Sequence, residues 1–165
     1  MHTRVGIIMG SRSEWSTMNH AAKLLAKLGI PYEERIITAY RNKNRLHDYA
    51  SKAIDRGLEI IIAGSTGAAD LPGILASKTE LPVLGVPIKT GSPGSECYEE
   101  PEPHNNTSNP SVDMLASGQT GAFNAALLAA SMLGDKYPYI RENLVCYRGM
   151  AQPWPTSREN EYPPE

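Results

Sequence analysis

The sequence has little of what defines several common protein classes. Its 165 residues contain two cysteines, Cys97 and Cys146, which lie far apart and have no cysteine or histidine nearby at metal-ligand spacing. Neither a disulfide framework nor a zinc site is indicated, so a reducing, cytoplasmic setting is expected. An excess of positive charge is missing too, since the net charge is −2. Nucleic acid and anionic membrane surfaces are therefore disfavoured as partners.

Long apolar runs are also absent from the sequence. The first apolar stretch, residues 5–9, is too short for a signal-peptide core or a membrane span. Hydrophobic residues make up 41% of the chain and charged residues 21%, which is typical of a globular protein. We expect one domain over residues 1–150, followed by an extended, proline-rich tail over 151–165, and a small molecule as the partner.

Short apolar runs alternate with amphipathic segments through the first half of the chain. The patterns predict strands at 5–9, 32–38, 58–63 and 82–86, and helices at 13–28, 44–56 and 69–79. This alternation predicts an α/β fold with a parallel sheet, right-handed crossovers and helices on both faces. Because ligands bind at the carboxyl ends of the strands in such sheets, the loops after each strand are the candidate site.

The second half of the chain has a different character. Glycine, proline and acidic residues are frequent over 89–111, and this composition predicts a long loop. The loop either covers the site or is a solvent-exposed surface loop without a role in it. A last strand is expected within 112–116 and a short helix within 134–147. The helix predicted at 120–133 is almost free of charge, so we expect it to be buried on more than one side, against another subunit.

The turn that follows the first strand is typical of an anion site. Gly10, Ser11 and Ser13 are small residues that lead from the strand into a helix, whose first amides have no partner within the helix. The two serines would add hydroxyl donors and a helix cap, and Glu14 could accept a hydrogen bond from a sugar hydroxyl. The turn therefore predicts a phosphorylated small molecule as the ligand.

Three loops after strands, taken in order, resemble those of the PurE family. They are Gly10-Ser-Arg-Ser-Glu-Trp15, Thr38-Ala-Tyr-Arg41 and Ala63-Gly-Ser-Thr-Gly-Ala-Ala-Asp-Leu-Pro-Gly73. The resemblance implies a three-layer, flavodoxin-like fold, a homo-octamer with sites at subunit junctions, and carboxyl-transfer chemistry without metal or organic cofactor. It also implies that Ser11, Ser13, Thr38 and Arg41 hold the substrate phosphate and that Glu14 contacts the ribose. Further substrate contacts are expected at Gly10, Ala39, Gly64, Ser65, Thr66 and Gly67.

Two positions depart from the pattern of the family. Its second loop carries a histidine that shuttles a proton, and Tyr40 stands in that place; the third loop of its mutase branch carries a histidine where this chain has Asp70. Histidine suits a shuttle because its pKa lies near neutrality. Tyrosine is a poor base unless a cation such as Arg41 lowers its pKa, and Asp70 could act as a base in a desolvated pocket. Tyr40 and Asp70 are therefore the candidate catalytic residues.

Three functions are compatible with these residues. The first is a PurE-type mutase or carboxylase that acts on an aminoimidazole ribonucleotide in purine biosynthesis. The second is a diverged decarboxylase or lyase that uses another carboxylated substrate, which the changes at Tyr40 and Asp70 favour. The third is a catalytically silent paralogue that binds a nucleotide. Turnover with carboxyaminoimidazole ribonucleotide separates the first function from the other two.

Replacing Arg41 with alanine tests the predicted phosphate site. A guanidinium at the carboxyl end of a strand is a good bidentate partner for phosphate, so the variant should bind a phosphorylated ligand more weakly by about 2–5 kcal/mol. Calorimetric titration with a ribonucleotide monophosphate measures this difference. An unchanged affinity would remove Arg41 from the site.

Overall fold

A computed structural model describes residues 2–38, 43–66, 70–88 and 113–151 of the chain. The strands are β1 (Val5–Met9), β2 (Tyr32–Ile36), β3 (Ile60–Ser65), β4 (Val83–Pro87) and β5 (Asp113–Met114). The helices are α1 (Trp15–Lys27), α2 (Lys43–Ser51), α3 (Leu71–Ala76), α4 (Gly118–Lys136) and α5 (Pro138–Ala151), and a 3-10 turn (Arg12–Glu14) precedes α1. The predicted alternation of strands and helices is confirmed.

The five strands form one parallel sheet in the order β2-β1-β3-β4-β5. Val5 of β1 is in register with Tyr32 on one side and with Ile60 on the other, so β1 and β3 lie inside the sheet and β2 forms an edge. The order reverses between β1 and β3, which is the switch point of flavodoxin-like sheets. The predicted α/β fold of flavodoxin type is confirmed.

Side chains along each inner strand alternate between two separate cores. Ile7 of β1 and Ile62 of β3 pack with α1, α4 and α5 on one face of the sheet, whereas Ile8 and Ile61 pack with α2 and α3 on the other. A strand that is buried on both faces must be apolar at every position, which explains the continuous apolar runs of the sequence. The helices on both faces give the three predicted layers.

Burial of helix α4 within the same chain largely explains why its sequence is apolar. Its alanines Ala122, Ala125, Ala126, Ala129 and Ala130 are all buried, and the helix packs on α1, on α5 and on the sheet. The prediction that this helix is buried on more than one side is confirmed. Because contacts within the chain account for this burial, a second subunit is not needed to cover the helix. The homo-octamer stays a prediction.

Two helical segments end at glycines with positive φ. After α1, Gly29 has φ +70° and the Ile30 amide donates to the Leu25 carbonyl at 2.9 Å; after α2, Gly57 has φ +87° and the Leu58 amide donates to the Ala53 carbonyl at 3.0 Å. This is the Schellman pattern, which the sequence indicated by its glycines. The helix predicted to residue 56 was wrong in extent, because α2 ends at Ser51 and loosens into turns before Gly57.

Helix α5 is longer and later than the sequence indicated. The short helix expected within 134–147 is a 14-residue helix, and its buried Ile140 and Leu144 join the core that holds α1 and α4. Within the described ranges no helix combines the length and apolarity that a membrane span needs. The predicted loop over 89–111 lies outside the described residues, and so does the predicted tail over 151–165 except for Ala151, which ends α5.

An ion cluster holds the amino end of the sheet to the end of α4. The Glu59 carboxylate accepts hydrogen bonds from Arg4 at 2.7 Å, from the Tyr137 hydroxyl at 2.7 Å and from Lys136 at 2.9 Å. The Arg4 guanidinium also lies 3.7 Å from the centre of the Tyr137 ring. Burial opposes ionisation of Glu59, but these donors outweigh it and lower its pKa. The cluster stabilises the end of the sheet opposite the strands' carboxyl ends.

A methyl group at Gly121 should unfold the start of α4. An alanine Cβ there would overlap the backbone carbonyl oxygen of Ala116, which cannot rotate away. Gly121→Ala should therefore lower the free energy of unfolding by about 3 kcal/mol, as overpacking does. The matched control is Gly149→Ala in α5, where a Cβ would meet no atom of the described residues within 4 Å beyond the helix's own backbone, and helix propensity should add up to about 1 kcal/mol. Urea unfolding measures both variants, and equal effects would contradict the argument.

Candidate functional site

The turns after β1, β2 and β3 meet at the carboxyl edge of the sheet. The Thr38 hydroxyl, which follows β2, donates a hydrogen bond to the Gly10 carbonyl at 3.1 Å. The Thr66 hydroxyl, which follows β3, bonds to the carboxylate of Glu14, which follows β1. The three segments that carry the predicted site are therefore joined by side-chain hydrogen bonds. In a parallel sheet, this is the edge at which ligands bind.

Glu14 is the centre of this network. Its side chain is buried, with 4% of the residue exposed, and its Oε2 accepts from the Gly10 amide at 2.8 Å. The Ser11 amide and the Thr66 hydroxyl are its other donors. Charged residues are seldom buried unless they are paired or hydrogen-bonded, and here amides and a hydroxyl take the place of a cation. Glu14 thus fixes the turn before α1 against the loop after β3.

Burial and hydrogen bonding act on Glu14 in opposite directions. Removal from water raises the pKa of its carboxyl group, and the bonds from Gly10, Ser11 and Thr66 lower it; burial prevails, so the pKa lies above the ordinary value of 4.5. A carboxyl group with a raised pKa takes up a proton more readily than an exposed one. The network is therefore sensitive to pH on the acid side of neutrality.

Ser11 and Ser13 lie together at the mouth of the first turn. Their hydroxyl oxygens are 2.7 Å apart, and neither serine is buried. The expected serine cap is wrong, because Ser11 holds the cap position without a side-chain bond to a backbone amide of the turn, and α1 itself begins after Glu14. Glu14 accepts from the Gly10 and Ser11 amides. The first backbone hydrogen bond within the turn is donated by the Glu14 amide to the Ser11 carbonyl, so the Arg12 and Ser13 amides are the ones that lie ahead of it.

The end of β3 is closely packed below the network. A Cβ placed on Gly64 would lie 2.8 Å from Cδ1 of Ile88 and 3.1 Å from the sulfur of Met18. A larger residue at this position would force Ile88 or Met18 to shift, so glycine permits the close packing. Ser65 follows it as the last residue of β3. Met18 and Ile88 were not singled out from the sequence, since nothing in their patterns separates them from ordinary core residues.

Asp70 acts as the N-cap of α3. Its Oδ1 accepts a hydrogen bond from the Gly73 amide at 3.0 Å, and a proline follows at the start of the helix. A Cβ on Gly73 would collide with this carboxylate, so glycine permits the close approach. The sequence carried the signal, because aspartate before a proline-containing first turn is typical of a cap. Asp70 is exposed, so one chain alone does not give it the desolvated pocket that was expected.

Four of the predicted site residues lie outside the described part of the chain. They are Ala39, Tyr40, Arg41 and Gly67. The predictions for these four positions stay predictions, and so does the catalytic role of Asp70. Among the residues that are described, no three His, Cys, Asp or Glu side chains gather as metal ligands.

Comparison with known families and curated proteins gives consistent matches over most of the chain. A family model described as AIR carboxylase matches residues 4–152. The N5-carboxyaminoimidazole ribonucleotide mutase of Pseudomonas aeruginosa is 49% identical over 153 residues, which cover 90% of each chain. The protein of the same name from Pyrococcus abyssi is 45% identical over 88% of this chain and 82% of that one.

Solved structures show the same fold. Treponema denticola PurE superposes with a TM-score of 0.71 at 22% identity, and the match covers 90% of this chain and 91% of that one. A 3-dehydroquinate dehydratase-like protein from Bifidobacterium longum gives a TM-score of 0.52 at 16% identity, over 80% of this chain and 98% of that one. At these identities the likeness is one of fold alone.

Replacing Glu14 with glutamine should change how stability depends on pH. Because the folded-state pKa of Glu14 is raised, the folded state binds the proton more tightly than the unfolded state does. Stability contributed by the protonated form is therefore lost as the pH rises from about 4.5 towards neutrality. Glu14→Gln keeps an acceptor for the Gly10 amide and removes this loss, so its stability relative to the wild type should increase with pH.

Urea unfolding at fixed protein concentration, repeated from pH 4.5 to pH 8, measures the difference. Glu34→Gln, which changes an exposed acid on β2, is the matched control for the lost charge. A difference between Glu14→Gln and the wild type that is the same at every pH would show that burial does not govern this carboxylate.

Proposed function

The chain belongs to the AIR carboxylase family, also called PurE, and from this premise we propose that it moves a carboxyl group on an aminoimidazole ribonucleotide in purine biosynthesis. The proposed reaction is the mutase reaction, in which the carboxyl group leaves a carbamate nitrogen and is attached to a ring carbon. The names and high identity of the curated relatives support it. The proposed setting is the cytoplasm, and the proposed assembly is a homo-octamer.

The hydrogen-bonded cluster around Glu14 is the observation that carries this proposal. It keeps the turns after β1, β2 and β3 at one edge, where the Ser11 and Ser13 hydroxyls lie 2.7 Å apart beside the start of α1. Such a turn favours an anion through its first amides and the positive end of the helix dipole. We assign the substrate phosphate to Ser11, Ser13, Thr38 and Arg41, with Gly10, Ala39, Gly64, Ser65, Thr66 and Gly67 around it.

Glu14 retains capacity for one substrate contact. An ionised carboxylate offers about four lone-pair sites, and three protein donors already use it, namely the Gly10 amide, the Ser11 amide and the Thr66 hydroxyl. The remaining site suits a hydroxyl donor and would repel phosphate. A ribose hydroxyl is thus assigned to Glu14, while the phosphate lies on the serine side of the turn.

Tyr40 and Asp70 are assigned the proton transfers. The carbamate nitrogen must gain a proton as its bond to the carboxyl carbon breaks, and the ring carbon must lose one after it attacks the released carbon dioxide. A phenol is a competent acid and a carboxylate a competent base, so Tyr40 gives the first proton and Asp70 takes the second. Return of the proton from Asp70 to Tyr40 restores the starting state, and no metal or organic cofactor is invoked.

A diverged decarboxylase is the second candidate function. Tyr40 and Asp70 replace both histidines of the motif, and a decarboxylase needs only an acid that protonates the carbon which loses carbon dioxide. Incubation of the purified chain with each carboxyaminoimidazole ribonucleotide isomer separates the functions. A mutase interconverts the isomers without net release of carbon dioxide, a decarboxylase releases it, and a silent paralogue binds the ribonucleotide without turnover, which would overturn the proposal.

Substitutions of Asp70 distinguish its cap from its catalytic role. Asparagine caps helices as well as aspartate does, so Asp70→Asn should keep the stability of the wild type, whereas Asp70→Ala should lose about 1 kcal/mol. If Asp70 is the base, Asp70→Asn should lower kcat by about 100-fold or more. Steady-state kinetics and urea unfolding of both variants give these values. Full activity in Asp70→Asn would leave Asp70 as a cap only.

A further inference from the structure

A basic groove lies between the edge strand β2 and helix α2, and its lining shares no residue with the candidate site. Its volume is about 250 Å³. Ile37 and the ring of Tyr49 are its buried residues, and the cationic side chains around them are Arg35, Arg45, Lys52 and Arg56. We call this surface the α2 groove. It combines an apolar floor with a rim of positive charge.

Glu33 holds two of these cations in place. Its Oε2 accepts from Arg35 at 3.2 Å, and its Oε1 accepts from Arg56 and from the Tyr49 hydroxyl, the latter at 2.9 Å. The Arg56 guanidinium also lies 4.9 Å from the centre of the Tyr49 ring. Long cationic side chains lose much rotamer freedom on binding, and this arrangement restricts Arg35 and Arg56 in advance.

Positive charge in the α2 groove exceeds what the neighbouring acids neutralise. Glu33 and Asp48 face four cations there, although the whole chain carries a net charge of −2. Asp48 lies 4.0 Å from Lys52, with both side chains well exposed, so this pair is weak. Arg45 has no hydrogen bond or ion pair with any residue in the described ranges. Its guanidinium is therefore available to a ligand.

We propose that the α2 groove binds a small dianion that carries a phosphate group. Guanidinium groups present fixed pairs of donors that match the oxygens of phosphate, and three arginines with one lysine converge on a space of phosphate-ester size. The apolar floor suits the carbon part of such an ester. This site is independent of the proposed function, because it uses none of the residues assigned to the ribonucleotide.

Calorimetric titration with inorganic pyrophosphate at constant ionic strength tests the proposal. The full-length wild type should bind at two classes of site, one in the α2 groove and one at the edge that carries Ser11 and Ser13. The double variant Arg45→Gln/Lys52→Gln should lose at least tenfold in affinity at one class. The matched control is Lys23→Gln/Lys78→Gln, which removes the same charge from exposed positions elsewhere and should change affinity by less than twofold.

A third variant, Ser11→Ala/Ser13→Ala, assigns the two classes of site. It should keep the pyrophosphate binding that Arg45→Gln/Lys52→Gln loses, and this result would support the proposal even if the chain has no carboxyl-transfer activity. Equal losses in the two charge variants would show a general charge effect and overturn it. Light scattering reports a second outcome that overturns it: a changed oligomeric state with unchanged pyrophosphate affinity would mean that another copy of the chain covers the groove.

Discussion

The buried carboxylate of Glu14 is the constraint on which the candidate site depends. Through its bonds to Gly10, Ser11 and Thr66 it joins the turn after β1 to the loop after β3, and Thr38 adds the segment after β2 through the Gly10 carbonyl. Three loops of modest length would otherwise move independently at the surface. A buried charge that is held by several hydrogen bonds has few alternative arrangements, so it specifies the relative positions of the loops more strictly than apolar packing would.

The sheet supplies the rigid support that such a constraint needs. Ile7 and Ile8 of β1 point into different cores, so β1 is fixed from both sides just before it delivers Gly10 and Glu14. On one side the small residues of α4 let α1 approach closely, and α1 begins at the turn that Glu14 organises. The packing of the alanine-rich helix α4 against α1 therefore helps to fix the geometry of the candidate site.

Much of this fold could be predicted because its signals are local. Runs such as residues 5–9 and glycines such as Gly29 and Gly57 report strand burial and helix ends directly. The bond between Glu14 and Thr66 could not be predicted in the same way, because it joins residues that are distant in the chain. The place where α2 loosens could not be predicted either, because it depends on competing turn bonds. Asp70 differs from both, since the signal for its cap was local in the sequence, whereas its catalytic role stays a prediction.

The proposed function assigns binding and proton transfer to different residues, and this separation bears on how the chemistry could diverge. The donors described around Glu14 do not include Asp70, so a change at Asp70 leaves that network in place. A single histidine that both takes and returns a proton needs one pKa near neutrality. When an acid and a base on two loops share this work, the acid must start each cycle protonated and the base must start it deprotonated. In the proposed reaction the pair must therefore exchange a proton once in every turnover, so its rate would depend on how closely the loops after β2 and β3 are held. The Thr38 and Thr66 bonds to the first turn hold the beginnings of these two loops together.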